Sequence, residues 1–185
     1  MTRHLLSFFI LGGLVLLAVL ASEASGIRLY DRIATNLCIS LVLVLGLQVF
    51  MGNSGILSFA HMGFMGIGAY TSAVLTIPVQ MKGMALPELY PLLQEVELSP
   101  YLAIAIGGLV AALVSAALSY PLMRLSDAAA VITSFALLVV LYTVMTHWSE
   151  VTNGPRTLFG LPRATDLRLA AIVAILALAA ALAFK

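Results

Sequence analysis

The side chains able to do chemistry in this chain are few, and they crowd into one stretch. "GNSGILSFAHMGFMGIGAY", residues 52–70, holds Asn53, Ser54, Ser58 and His61, and Thr71 and Ser72 follow at once. His61 is the only histidine, acidic or basic residue between Arg32 and Lys82. An imidazole in so apolar a setting is a functional candidate, because burying it is costly. The plainer alternative is a neutral ring bonded to a serine or a backbone carbonyl of the next helix. One histidine makes no metal site, and no carboxylate lies near it to build a proton relay. What remains is uncharged hydrogen-bonding capacity: an amide, hydroxyls and an imidazole.

No covalent chemistry is legible. The chain has no phosphate-binding loop, no HExxH, no GxSxG and no CxxC, so no catalytic residue, metal or cofactor is expected. Glu23, Asp31, Glu88, Glu95, Glu97, Asp127, Glu150 and Asp166 all fall in loops or at helix starts, as solvated faces and caps do. Cys38 is the single cysteine and reads as a small buried hydrophobe.

The elements that must position these residues are membrane helices. The chain is 62% hydrophobic and 9% charged, where soluble domains carry roughly 25% charge. Lipid is therefore the solvent for most of its surface. The net charge of +1 and the lack of a basic tail exclude a nucleic-acid partner. Six spans are predicted: Leu5 to Ser22, Ile33 to Met51, Ile56 to Ile77, Tyr101 to Tyr120, Ala128 to Thr146, and Leu167 to Phe184. The first resembles a signal peptide, but its apolar run from Leu5 to Ala21 is longer than the roughly 7–15 residues of such a segment. Without alternation anywhere, a barrel is excluded and the fold class is an all-α polytopic transmembrane bundle. The whole chain reads as one transmembrane domain, and its stop at the first charge after the last apolar run suggests an N-terminal fragment.

Punctuation sets the boundaries. Gly52-Asn53-Ser54-Gly55 interrupts the second and third spans, as a surface turn or as a broken helix lining a substrate route. Pro78 stops the third span, and Leu92 to Leu98 could form a short interfacial helix. Ser99-Pro100 starts the fourth span, Pro121 ends it, and Ser126-Asp127 caps the fifth. "HWSEVTNGPRTLFGLPRATD" reads as a loop, with Trp148 as a headgroup-level anchor.

Small residues predict close helix contact, since packing replaces the hydrophobic drive in lipid. In the third span Gly63, Gly66 and Ala73 fall on one thin face, with Gly68 beside it. In the fourth, Gly107, Ala111, Ser115 and Ser119 form a ladder four residues apart.

"GNSGILSFAHMGFMGIGAYTSAVL" resembles the signature of permease subunits of branched-chain amino acid ABC importers. Gly52, Gly55, Ser58, His61, Phe64, Gly66, Gly68, Ala69 and Tyr70 match it, and Ala60 stands where the family usually has glycine. "LSDAAAVITSFALLVVLYTVMTHWSEVTNGPRTLFGLP" is similar to a second family stretch through Thr133, Phe135, Ala136, Trp148, Thr152, Gly154, Gly160 and Pro162. Ala128-Ala129-Ala130, Tyr142 and Pro155 depart from it. The likeness covers nearly the whole chain and is nearer to the M-type of the two paired permeases.

That resemblance implies a transport subunit and no enzyme. The implied partners are a second permease chain, two ATPase subunits, a periplasmic substrate-binding protein and membrane lipid. The implied cargo is a zwitterion, leucine, isoleucine or valine, which needs a polar lining without fixed charge. Asn53, Ser54, Ser58, His61, Thr71 and Ser72 are the candidates for it. Related importers carry urea, short amides or sugars, and an ATPase-independent channel or scaffold is the alternative of another class. The expected location is a bacterial inner membrane with a cytoplasmic N-terminus. Charge alone favours the reverse, with Arg3, Arg124 and Lys185 on one side against Arg28, Arg32, Lys82, Arg156, Arg163 and Arg168 on the other.

Overall fold

The computed structural model describes residues 2–122, 124–162 and 166–183, with side chains from Ile10 onward except that of Asp127. Among them every regular element is helical. The long helices are α1 (Thr2–Ser25), α2 (Arg28–Ser54), α3 (Ala60–Thr76), α6 (Pro100–Leu122), α7 (Asp127–His147) and α9 (Leu167–Ala183). Short ones intervene: α4 (Val79–Ala85), α5 (Pro91–Gln94) and α8 (Ser149–Thr152). Three segments, all of α2, all of α6 and Ala128–His147 of α7, are long and apolar enough to cross a membrane, while Ile10–Ser25 and α9 are shorter apolar helices. The protein is an all-α membrane bundle. Phe184, Lys185 and Arg163, and the side chain of Arg3, lie outside the described residues, so the charge balance drawn from them has no structural counterpart.

Two compact units divide the chain. One comprises the N-terminal residues through Gly55 with the segment from Thr165 on, and the other runs from Ile56 to Ala164. In the first, α9 packs on α2 and α1, and Val15, Val19, Cys38, Ala170, Ala171 and Ala174 form its buried core. Cys38 is fully buried in that core, as its apolar setting predicts. Ser22 donates to Asp31 at 2.7 Å, and Arg168 pairs with Glu23 at 3.0 Å, closing one end of the unit. In the second unit α3 is the central helix, lying against α6, α7 and α8.

Several boundaries differ from the sequence reading, each for a local reason. The quartet at 52–55 does not end α2 at Met51. The helix continues through Ser54, and Gly55 stops it in the left-handed conformation (φ 69°), donating its N–H to Met51 O at 2.9 Å. Ser54 donates to Phe50 O at 2.8 Å, the back-bond that keeps a serine in its helix. The interruption therefore falls on residues 55–59, and α3 begins only at Ala60. Its 17 residues rise about 26 Å at 1.5 Å each, short of a ~30 Å hydrocarbon core. Pro121 sits inside the last turn of α6 rather than ending it at Tyr120. One helical residue follows, so the missing N–H costs the helix a single bond, to Ala117 O, close to its end. The expected helix over Leu92 to Leu98 is displaced to Pro91–Gln94, because Pro91 can open a helix and Pro100 must open the next. The loop after His147 contains the single turn α8, closed by Asn153 in the left-handed conformation (φ 64°).

Candidate functional site

Of the residues singled out by sequence, Ser58, His61, Gly63, Gly66, Gly68, Thr71, Ser72 and Ala73 lie on α3 and in the break before it. Two seams meet there. Toward α6, a Cβ added at Gly107 would stand 2.6 Å from Gly68 O, 3.2 Å from Ser72 Cβ and 3.3 Å from Ser72 N. From the other side, a Cβ at Gly68 would stand 3.3 Å from Gly107 O and 3.5 Å from Ala111 Cβ. Backbone touches backbone, which only glycine permits. Gly107 is buried, and Ala111, Ser115 and Ser119 continue the same stripe, each half-buried. Ser115 turns its hydroxyl to Ala112 O at 2.9 Å.

The second seam faces α7. A Cβ at Gly63 would meet Leu141 Cδ1 at 2.6 Å and Leu141 Cβ at 3.2 Å, and one at Gly66 would meet Met145 Sδ at 2.7 Å. Where spacing suggests one thin face, the structure divides the glycines between two partners. Gly63 and Gly66 serve α7, while Gly68 and Ser72 serve α6. Ala73 is half-buried and accepts the N–H of Ile77 at 3.1 Å, which closes the helix.

The polar candidates are placed as follows. Asn53 and Ser54 are exposed at the end of α2, in the first unit. Ser58 is half-buried in the break, and His61 is half-buried in the first turn of α3. Thr71 donates to Ile67 O at 2.7 Å and Ser72 to Ala69 O at 3.0 Å, so each hydroxyl spends its proton on its own helix. Both oxygens keep lone pairs as acceptors. Among the described residues no group of histidine, cysteine or carboxylate side chains could hold a metal ion.

Two further polar residues matter, and sequence reasoning passed over both. Ser134 on α7 is 3% exposed. Its hydroxyl accepts the Phe59 N–H at 3.2 Å and donates to Val131 O at 2.8 Å. Phe59 also meets Phe135 edge-on, with ring centroids 5.8 Å apart. Phe59, the last residue of the break, is thus tied to α7 by a hydrogen bond and an aromatic pair. A serine flanked by the matched pair Thr133 and Phe135 was the available signal.

The second is Lys82 on α4, 1% exposed. Its ammonium donates to Leu93 O at 2.8 Å and to Val96 O. Burial pushes its pKa below the ordinary lysine value, and the Glu97 carboxylate pulls it part of the way back. A lone lysine in a loop carries no sequence signal that it will be buried.

Apolar helices of membrane-crossing length, packed through glycine-lined seams, define a class: multi-pass helical membrane proteins. The family described as the permease component of the branched-chain amino acid transport system matches residues 29–185, and the chain belongs to that family. Its relatives include the high-affinity branched-chain amino acid transport system permease proteins LivM of Escherichia coli (strain K12) and Salmonella typhimurium (strain LT2). Identity is 29% and 30% respectively over 133 residues, 72% of this chain. The match spans 27% of the length of each of these relatives. No solved structure matches the chain.

Proposed function

We propose that the chain is a permease subunit of an ATP-driven ABC importer that moves branched-chain amino acids, leucine, isoleucine and valine, across the bacterial inner membrane. Membership of the permease family over residues 29–185 carries this reading. The lack of fixed charge on α3 supports it: a zwitterion crossing about 30 Å of hydrocarbon needs acceptors and donors without a trapping charge. In this proposal Ser58 and His61 face the pathway beside the break. Thr71 and Ser72 offer acceptor oxygens further along α3. The energy comes from two separate ATPase subunits, and a second permease chain and a periplasmic binding protein complete the assembly. The N-terminus faces the cytoplasm.

The test is uptake by the full-length complex, copurified with its partners and reconstituted. Radiolabelled leucine and valine are expected to accumulate with ATP, and urea is not. Uptake of urea alone would move the assignment to another importer, and ATP-independent flux would make the protein a channel. Cysteines at Ser58 and His61 are expected to react with a water-soluble thiol reagent and to be protected by leucine.

A further inference from the structure

The segment joining α3 to α6 is polar and proline-rich, yet it is folded. Val74, Ile77, Ala85, Leu86 and Leu89 form a buried cluster, with Leu93, Val151 and Leu158 packed against it. Three ties close the segment on itself. Val79 N–H donates to Glu97 Oε2 at 3.0 Å, Leu98 N–H donates to Leu75 O at 2.9 Å, and Lys82 Nζ donates to Leu93 O and Val96 O. Gln94 Nε2 adds a bond to Leu89 O at 2.8 Å inside the loop.

Lys82 is the tie with no cheap substitute. An apolar side chain of similar volume would fill the same space. It would not supply the donors. Among the described residues no other group donates to Leu93 O or Val96 O. Both carbonyls lie in half-buried backbone, where a group that loses its donor costs more than the bond contributed. The lysine therefore specifies where residues 93–96 lie, and packing alone would not.

We infer that Lys82 is a latch that holds residues 86–98 as a preformed cap and thereby sets where α6 starts relative to the end of α3. The last step runs through Leu98, whose N–H is fixed on Leu75 of α3 two residues before Pro100 opens α6. With the latch absent, the cap opens as a unit while the glycine seam between α3 and α6 stays closed.

Hydrogen exchange read by mass spectrometry on the full-length protein tests this, comparing wild type with Lys82→Met. Exchange across residues 86–98 is expected to rise about tenfold to a hundredfold, the range that losing bonds to a charged donor gives. Exchange across residues 63–76 and 100–115 is expected to stay within about twofold. Unchanged protection of the cap would overturn the latch. An equal rise in α3 and α6 would also overturn it, since Lys82 would then support the whole unit. If Lys82→Met does not accumulate, Lys82→Gln, whose shorter uncharged side chain removes the ammonium from Leu93 O and Val96 O, replaces it. A rise confined to residues 79–98 supports the latch, and no rise overturns it.

Discussion

Replacing Gly107 by alanine should damage the α3–α6 seam, while replacing Gly68 should barely disturb it, although the two glycines face each other. The added Cβ at 107 lands 2.6 Å from Gly68 O, and ordinary contact begins near 3.4 Å. The obstacle is backbone, so the helices must separate by the difference, about 0.8 Å. At Gly68 the new Cβ meets Gly107 O at 3.3 Å, so it needs about 0.1 Å. Overpacking of the first kind costs about 1–3 kcal/mol. Both substitutions gain the same helix propensity, about 1 kcal/mol, and the gain cancels in the comparison. Gly107→Ala is therefore expected to be less stable than Gly68→Ala by about 1–3 kcal/mol, or about 5- to 150-fold in the unfolding equilibrium. Unfolding in mixed micelles with rising dodecyl sulfate can measure this. Trp148, the only tryptophan, reports on the unit containing both glycines. Equal stabilities, or a less stable Gly68→Ala, would refute the backbone-contact reasoning.

The other seam separates in the same way. Gly66→Ala meets the flexible end of Met145 and is expected to cost under about 0.5 kcal/mol. Gly63→Ala meets Leu141 at its Cβ and is expected to cost about 1–2 kcal/mol, read in the same micelle titration. Ser134→Ala removes the acceptor of the Phe59 N–H and should cost about 1 kcal/mol; a change below about 0.3 kcal/mol would mean this hydrogen bond does not anchor the break. Lys82 has a lower pKa folded than unfolded. The unfolded chain then binds more protons in the window below the ordinary value of 10.5, so stability should rise with pH through that window. Lys82→Met should lack that rise, and an identical slope in both proteins would count against the burial.

The sequence made the helices legible because apolar runs of spanning length admit few alternatives. It also singled out Gly107, in a ladder four residues apart, and Gly68, beside the glycine face of the third span. Which neighbour each glycine meets was not legible. Gly63 and Gly66 on one side and Gly68 on the other depend on how α6 and α7 flank α3, and a one-helix pattern cannot encode that. The break was misplaced by three residues because asparagine, serine and glycine together look like a turn. Ser54 instead bonds to its own helix and leaves only Gly55 in the left-handed region. The folding of the segment between α3 and α6 was not legible, because beside its apolar cluster it is tied by a buried ammonium and backbone groups that hydrophobicity patterns do not register.

The closure of α1 and α2 by α9 has a consequence for biogenesis. Residues 56–164 form a continuous block whose partners emerge from the ribosome in succession. The N-terminal pair has no such convenience. The face of α2 that carries Cys38 is completed by Ala170, Ala171 and Ala174, which are translated only after the whole intervening block. Nascent α1 and α2 must therefore dwell in the bilayer with that face against lipid or a chaperone. A translational stall between the two events would strand a half-built hairpin exposed to membrane quality control.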